Sequence, residues 1–341
     1  MRTERLRADS SADLERAAEL LRAGQTVAFP TETVYGLGAN ALSASAVERI
    51  FVAKQRPHWD PLIVHVVDRE AATEVATLDA LADRLINAFW PGPLTLLLPR
   101  TAEIPDSVTA GRALVGVRSP AHPVARELLR LAGVPIAAPS ANRFGHTSPT
   151  SAAHVLYDLD GRISAVVDGG STEVGVESTV IEAREERVTI YRAGAVTKEM
   201  LQVIGGVQQV EMYGAAPELV EVESLPSPGI GIRHYAPRAR LVLVRAEAGS
   251  MESVWLSAIA KINAADGQIG VMLPDGWSAG AAKLSYPWGQ WNDAPTLARR
   301  LFAGLRALDQ AGAETIICPL PEAAGLGEAL RDRLEKAARE K

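Results

Sequence analysis

The sequence contains little cysteine and few aromatic residues. Cys318 is the one cysteine among 341 residues, so a disulfide within the chain and a zinc site built from several cysteines are both excluded. Aromatic residues make up 5% of the chain, which leaves Ala, Val, Leu and Ile to fill the core. No run reaches the ~18 apolar residues of a membrane span, and the N-terminus has no apolar segment of signal-peptide length. We therefore expect a cytoplasmic protein without a membrane partner.

A strong charge imbalance and the common nucleotide-binding motifs are also missing. The net charge of −6 argues against a protein that coats nucleic acid by charge alone, although a local basic groove remains open. The sequence has no P-loop, no G-x-G-x-x-G after a strand, no H-E-x-x-H, no C-x-x-C and no G-x-S-x-G. Spacing alone reveals no paired carboxylates and no Ser/His/Asp set. These absences favour catalysis by positioning and charge stabilisation, as in phosphoryl and nucleotidyl transfer.

The length and the alternation of apolar segments predict two α/β domains. At ~100–200 residues per domain, 341 residues suggest two domains. Strands mixed with helices, including one hairpin, predict a mixed twisted sheet with helices packed on it. The predicted helices are 11–23, one from Ser43 or Ser45 to about 54, 78–90, 123–131 and 150–159. The predicted strands are 25–29, 62–67, 94–98, 114–118, 134–138, 165–168, 179–182 and 188–191.

Residues 213–239 differ in composition from the rest of the chain. They are rich in Pro, Gly and Ser and have no clear period, so we interpret them as a linker between domains at 1–212 and 240–341. A structureless stretch of this length is usually either disordered or functional. The chain after it predicts a small parallel α/β domain, with strands 241–244, 269–273 and 315–318 and helices 250–264, 296–311 and 323–340.

Two polar clusters follow the first strand and the second helix. Residues 30–38 place hydroxyls and two glycines directly after a strand, which is typical of a ligand loop but equally of an ordinary turn. Lys54 and Arg56 leave a helix end and enter an extended segment fixed by proline. The compact ammonium of Lys54 beside the planar, bidentate guanidinium of Arg56 suits the binding of a polyphosphate. The alternative is that both cations merely stabilise the helix C-terminus through its dipole.

Further polar residues lie in or after apolar strands. Arg118 ends such a strand, where its burial requires an anion from a neighbouring Asp or Glu or from a ligand carboxylate. His65 lies inside a strand, where a histidine is more often a hydrogen-bonded core residue than a catalytic one. Ser140 and Asn142 follow strand 134–138 and offer uncharged hydrogen bonds, which suit a base, a ribose or an amino acid. The alternative is a rigid turn followed by a helix cap.

Taken together and in this order, the clusters resemble the YrdC-like family, specifically its two-domain threonylcarbamoyl-AMP synthases. The matching stretches are PTETVYGLGANA (30–41), KQRPHWDPLIVHV (54–66), FWPGPLTLLL (89–98), VGVRSPAHPVARELL (115–129), PIAAPSANRFGHTSPT (135–150), GVESTVIE (175–182), YRAGAV (191–196) and PSPGIGIRHYAPRARL (226–241). They cover nearly the whole chain. The resemblance implies an α/β fold, with a YrdC-like twisted mixed sheet with helices joined by a long linker to a small Rossmann-like parallel α/β domain.

The resemblance also implies an activity. L-threonine, bicarbonate and ATP would give threonylcarbamoyl-AMP, pyrophosphate and water, so the chain would be a nucleotidyltransferase. Its product would supply the group placed on the adenosine next to the tRNA anticodon. The implied partners are the downstream tRNA threonylcarbamoyl transferase machinery and, through a weak direct contact, tRNA. The Mg²⁺ that accompanies ATP is expected to be held by phosphates, with no protein ligand.

Roles for individual residues follow from the matching positions. Lys54 with Arg56 matches the family's lysine-x-arginine signature and becomes the catalytic pair, and Ser140 with Asn142 matches its serine-x-asparagine signature. The residues implied for threonine binding are Thr33, His65, Arg118 and Ser178. Those implied for ATP binding are Lys54, Arg56, Asp60, Ala138, Ser140, Asn142, Ser148, Arg192 and Tyr235. Because Tyr235 lies in the linker, the linker resembles a lid over the nucleotide.

Position 60 departs from the family pattern, which often has Asn before Pro-Leu-Ile-Val. The carboxylate of Asp60 would repel phosphates unless a cation intervened. We therefore expect Asp60 to contact a ribose, a cation or a backbone amide.

Two other functions compete with the synthase. A carbamoyl-transfer enzyme of the hydrogenase-maturation type would use a similar domain, but those chains carry cysteine-rich zinc modules and this one has a single cysteine. A double-stranded RNA or tRNA-binding protein without catalysis would use the same concave surface, and the net charge of −6 weighs against it.

Overall fold

The computed structural model describes residues 2–214, 225, 227, 234–245, 251–263 and 268–339, which form two compact units. The first unit comprises residues 1–144, 149–173 and 177–231, and the second comprises 145–148, 174–176 and 232–341. Two short segments from the middle of the chain, 145–148 and 174–176, therefore belong to the second unit. Most of the predicted linker lies outside the described residues, as do the predicted helix ends at 250, 264 and 340.

Strands and helices alternate through the first unit. Its strands are β1 (Glu4–Arg7), β2 (Val27–Phe29), β3 (Gly36–Asn40), β4 (Ile63–His65), β5 (Leu94–Pro99), β6 (Leu114–Arg118), β7 (Ile136–Ala137), β8 (Ala165–Asp168), β9 (Thr179–Arg184), β10 (Arg187–Arg192) and β11 (Gln209–Met212). Its helices are α1 (Ser11–Arg22), α2 (Ala44–Lys54), α3 (Arg69–Val75), α4 (Ala80–Phe89), α5 (Asp106–Thr109), α6 (Pro123–Ala132), α7 (Ala152–Leu159) and α8 (Lys198–Gln202).

Local sequence sets the ends of the helices. Ser10 caps α1 and Ser43 caps α2, each accepting a hydrogen bond from a backbone N–H three residues on. Helix α2 ends where Gln55 adopts the left-handed conformation, with φ of 54°. The chain therefore turns sharply between Lys54 and Arg56.

The strands of the first unit form one mixed sheet. Their order is β1–β8–β2–β3–β7–β4–β6–β5–β9–β10–β11. Strands β4 and β6 pair in parallel, whereas β5 runs antiparallel to β6 and parallel to β9. Strands β9 and β10 form the predicted antiparallel hairpin.

Apolar residues cover both faces of this sheet. In β2, Val27 and Phe29 join a core with α1 and α6, while Ala28 between them joins a larger core that includes residues of α2, α4 and α7. Successive side chains of a strand point to opposite faces, so helices pack on both sides of the sheet.

The second unit is a smaller parallel α/β fold. Strands β12 (Arg240–Val244), β13 (Ile269–Pro274), β14 (Leu284–Gly289) and β15 (Thr315–Pro319) pair in parallel in the order β12–β15–β13–β14. Helices α9 (Met251–Asn263), α10 (Ala294–Gln310) and α11 (Leu326–Ala337) complete it. No helix in the described part of either unit is long and apolar enough to cross a membrane.

The predicted fold class is confirmed, with corrections to individual elements. Part of the predicted ligand loop at 30–38 is a strand, β3, which pairs with β2 and β7. The second unit has a fourth strand, β14, that the sequence did not predict. The sequence also missed β1, β11, α3, α5 and α8. The remaining predicted elements form with ends shifted by a few residues.

Candidate active site

Lys54 is the last residue of α2, and its side chain is fully buried. Its Nζ donates to the backbone carbonyl oxygens of Ser140 and Asn142, each at 2.5 Å. Burial and, secondarily, the charge of Arg56 hold the pKa of the Lys54 ammonium well below its usual value. Lys54 therefore links the last turn of α2 to the Ser140–Asn142 turn, a contact beyond the helix-dipole interaction that the sequence left open.

Arg56 forms a buried ion pair with Asp60. Its Nη2 lies 2.9 Å from the Asp60 carboxylate, and the guanidinium also donates to the carbonyl oxygens of Asp60 and Pro61 at 3.1 and 2.8 Å. The ring of Phe144 lies 5.9 Å from the guanidinium carbon. Of the contacts expected for Asp60, the structure therefore contains the one with a cation.

Arg118, at the end of β6, meets a carboxylate that the sequence analysis did not assign to it. Its Nη2 donates to Glu32 Oε1 at 2.6 Å, and its Nη1 donates to Thr33 Oγ1 at 3.0 Å. Its Nε donates to the Gly92 carbonyl oxygen at 3.2 Å. All three side chains are buried. In this structure, the anion that burial of Arg118 requires is a neighbouring glutamate.

His65 stands opposite Arg118 in the parallel pairing of β4 with β6. Burial and then the charge of Arg118 lower the pKa of His65 to about 3, so its ring is neutral at physiological pH. Its Nδ1 is buried and has no hydrogen-bond partner among the described residues. The ring thus presents an unused polar atom beside the Arg118 pair.

Ser178 and Arg192, which the resemblance assigned to different ligands, are in contact. Arg192 donates through Nε to the Ser178 carbonyl oxygen and through Nη2 to Ser178 Oγ, each at 3.0 Å. Ser178 Oγ also lies 2.8 Å from Thr95 Oγ1. Gly194 allows the chain after β10 to lie close against the backbone at Ser178 and Thr179, because a Cβ at residue 194 would lie 2.4 Å from the Thr179 nitrogen.

The strand register brings His65, Arg118, Ser178 and Arg192 to one edge of the sheet. His65 and Arg118 end parallel neighbours, and Leu94, which starts the antiparallel β5, pairs with Thr179 directly after Ser178. Strand β10 returns to this edge and ends at Arg192. The pairing of β10 with β9 shifts register between Ile190 and Arg192, next to this end. Polar groups at such a sheet edge are a usual basis for a ligand site.

The remaining predicted residues are divided between the units. Ala138 donates its backbone N–H to the Ile63 carbonyl oxygen at 2.8 Å within the first unit. Ser148 and Tyr235 belong to the second unit. Ser148 is fully buried, and its carbonyl oxygen accepts from Arg306 Nε at 3.4 Å.

Tyr235 is buried in the second unit, where it packs between two side chains. Its ring stacks on Phe302 with centroids 5.8 Å apart, and the Arg333 guanidinium lies 5.2 Å from the ring centroid. The adjacent Ala236 donates to the Gly145 carbonyl oxygen at 2.9 Å. Tyr235 thus holds a fixed position on α10 and α11.

Two contributing side chains, Glu32 and Thr95, were not assigned by the sequence analysis. Glu32 had a local signal, since it lies beside Thr33 in the matched stretch. Thr95 had a weaker one, as a lone hydroxyl in the apolar run LTLLL. Neither signal names the contact, because their partners lie 86 and 83 residues away in sequence.

The fold and these clusters define the class of protein. It is a two-domain α/β protein whose larger unit gathers buried cations, hydroxyls and a neutral histidine, a set suited to binding anionic groups without a P-loop.

Comparison with known proteins identifies the family. A family model for Sua5, YciO and YrdC proteins, described as Telomere recombination, matches residues 19–194. A second, described as Threonylcarbamoyl-AMP synthase, C-terminal domain, matches residues 196–339. The threonylcarbamoyl-AMP synthase of Pyrococcus abyssi is 40% identical over 94% of this chain and 93% of its own length. That of Bacillus subtilis is 40% identical over 95% and 92%.

Structural comparison agrees with the sequence comparison. The crystal structure of P. abyssi Sua5 complexed with L-threonine matches with a TM-score of 0.90 and 39% identity, covering 99% of this chain and 98% of that one. The chain belongs to the threonylcarbamoyl-AMP synthase family. The family, function and enzyme class that the motifs predicted are thereby confirmed.

Proposed function

We propose that the chain forms threonylcarbamoyl-AMP and pyrophosphate from L-threonine, bicarbonate and ATP. The observation that carries this proposal is the set of buried cations, Lys54, Arg56, Arg118 and Arg192, each held in place by hydrogen bonds in the larger unit. Fixed cations stabilise charge that develops during phosphoryl transfer without having to reorganise. The crystal structure of the P. abyssi relative, a complex with L-threonine, supports the choice of amino acid.

On the threonine side, Arg118 would receive the substrate carboxylate. Its planar fork is suited to a bidentate carboxylate, and Thr33 already orients one of its terminal nitrogens. His65, kept neutral, and Ser178, held by Arg192, would offer hydrogen bonds to the amine and the hydroxyl.

On the ATP side, Lys54 and Arg56 would offset the charge that builds up on the α-phosphate. Threonine's amine reacts with bicarbonate to give a carbamate and water. A carbamate oxygen then forms a bond to the α-phosphorus, and the bond to the bridging oxygen of pyrophosphate breaks. Asp60, Ala138, Ser140, Asn142, Ser148, Arg192 and Tyr235 complete the proposed ATP-binding set.

Mg²⁺ bound to the ATP phosphates would neutralise part of their charge. Among the described residues, no group of three or more His, Cys, Asp or Glu side chains could hold a metal. The Asp60 carboxylate is paired with Arg56. The protein's part in the proposed site is therefore to orient the phosphates through its cations.

We also propose that the linker tyrosine, Tyr235, closes over the nucleotide. Its packing on Phe302 and beneath Arg333 gives it a fixed seat in the second unit. Tyr235→Ala should shorten the retention of ATP, measured by the dissociation rate of a fluorescent ATP analogue. An unchanged rate would argue against the lid.

The decisive experiment is to incubate the protein with ATP, Mg²⁺, bicarbonate and L-threonine and to measure pyrophosphate. We expect release that requires both threonine and bicarbonate. Release that ignores threonine, or none at all, would contradict the proposal. Transfer of the product to tRNA by the downstream transferase machinery would be measured separately, by the appearance of threonylcarbamoyladenosine.

Arg56→Ala tests the phosphate role and should abolish turnover. Because this change leaves Asp60 buried without its cation, Arg56→Ala/Asp60→Ala is measured beside it. Arg16→Ala, an exposed arginine of α1, is the matched control and should turn over like the wild type. Activity in a folded Arg56 variant would refute the assigned role.

A further inference from the structure

We propose that Glu32 makes the site selective for amino acids over carboxylates that lack an ammonium group. The inference rests on the proposed function in one respect, the assignment of Arg118 to the substrate carboxylate. Glu32 has no role in that assignment. It acts by making the Arg118 site electrically neutral before any substrate binds.

Both oxygens of the Glu32 carboxylate are fixed. Oε1 accepts from Arg118 Nη2 at 2.6 Å, and Oε2 accepts from the backbone N–H of Ala121 at 3.1 Å. Glu32 and Arg118 are 5% and 4% exposed, so water does not screen the pair. The carboxylate is therefore a permanent part of the site and not a surface group that swings away.

The two histidines and the hydroxyl beside this pair add little charge. His65 is neutral because its pKa is about 3. His122, near Glu32, is half-buried, and burial lowers its pKa below its usual value. Thr33 carries no charge. Arg192 is held on Ser178 and belongs to the proposed ATP side. Among the hydrogen-bond contacts of Glu32 and Arg118, one guanidinium thus faces one carboxylate, with Thr33 and two backbone groups completing the set.

This balance discriminates between substrates. A ligand that offers only a carboxylate would place two anions against one buried cation, and burial of an uncompensated charge is strongly unfavourable. A zwitterion brings its own cation, so the site with substrate contains two positive and two negative groups. Glu32 therefore favours ligands with an α-ammonium group, the group that becomes the carbamate nitrogen in the proposed reaction.

The test compares two ligands that differ only at this group. Affinities for L-threonine and for (2S,3R)-2,3-dihydroxybutanoate, in which a hydroxyl replaces the ammonium, are measured by calorimetry without ATP. We expect the wild type to prefer threonine by about 100-fold or more. In Glu32→Gln that preference should fall by at least about tenfold, because the analogue's carboxylate then meets an unpaired Arg118. The matched control is Glu103→Gln, an exposed carboxylate, which should retain the wild-type preference.

Two outcomes would overturn the inference. One is an unchanged preference in folded Glu32→Gln. The other is a wild-type affinity for the analogue within about tenfold of that for threonine. This second outcome is measured on the wild type, so it does not depend on whether a variant folds. Glu32→Asp retains the charge and should keep most of the preference. Failure of the proposed function is distinct, since it would appear as wild-type protein that releases no threonine-dependent pyrophosphate, whatever its preference between the two ligands.

Discussion

Lys54 and Arg118 are both buried cations of the larger unit, but they are compensated in different ways. The hydrogen-bond partners of Lys54 Nζ in the described chain are two carbonyl oxygens, whereas Arg118 is paired with the carboxylate of Glu32. Carbonyl dipoles orient an ammonium without cancelling its charge, while a carboxylate cancels it. Under the proposed function, Lys54 would therefore favour an additional anion, such as a phosphate, beside the Arg56–Asp60 pair. The Arg118 end would favour a ligand of zero net charge.

Loss of the paired cation should have the largest effect on stability. Arg118→Met leaves the Glu32 carboxylate buried without its cation, which should cost about 3–5 kcal/mol of unfolding free energy. Denaturant unfolding measures this cost. Glu32→Gln/Arg118→Met removes both charges and should recover most of it, without restoring threonine binding. Equal losses in the single and double variants would disprove the pairing argument.

His65, beside the Arg118–Glu32 pair, makes the free energy of unfolding depend on pH. Its pKa is about 3 in the folded protein and its ordinary value is 6.5, so below pH 6.5 the unfolded chain binds a proton that the folded chain does not. Its stabilising contribution is complete above pH 6.5 and is lost as the pH falls towards 3. Between about pH 7 and about pH 4.5 this loss is on the order of 2.5 kcal/mol.

Unfolding free energies at these two pH values check the effect. His65→Gln should lose this part of the acid sensitivity, and His58→Gln, at an exposed histidine, should not. Identical pH dependence in the wild type and His65→Gln would show that the ring is not held neutral.

Lys54→Met tests the other member of the comparison between Lys54 and Arg118. It leaves two carbonyl groups without a donor but breaks no direct ion pair in the described chain, so we expect a cost of about 1–3 kcal/mol, below that of Arg118→Met. Because the folded pKa of Lys54 is lowered, the unfolded chain binds the extra proton above that pKa. Wild-type stability should therefore rise with pH towards the usual lysine pKa, and Lys54→Met should lack this rise. A larger cost than that of Arg118→Met would reverse the comparison.

Thr95→Val should have the smallest effect. It removes the hydroxyl beside Ser178 while Arg192 continues to hold that serine, so we expect a loss of about 0.5–1.5 kcal/mol in stability. Thr73→Val, at an exposed threonine, is the control for the substitution itself. A loss as large as that of Arg118→Met would mean that Ser178 depends on Thr95 more than on Arg192.

The sequence predicted that buried polar side chains need compensating groups, but it did not predict which residues supply them. Burial of Arg118 at a strand end required an anion, but Glu32 precedes it by 86 residues and reaches it only through tertiary packing. Strand β3 was hidden by its composition. A Cβ at Gly38 would lie 2.7 Å from the side chains of Ile136 and Phe29, so close packing requires a residue that normally weakens strands. Strand β14 was similarly obscured by Pro287, which an edge strand tolerates.

The composition of the second unit has a consequence for truncated chains. Residues 145–148 belong to it, and they are fixed there by a parallel bridge between His146 and Ala236 and by hydrogen bonds from Arg306 to Thr147 and Ser148. A chain shortened to end at residue 212 would keep every described helix and strand of the larger unit while removing all these supports. No single position in the sequence therefore separates the two units. During synthesis, residues 145–148 cannot make these contacts until the last third of the chain has been made.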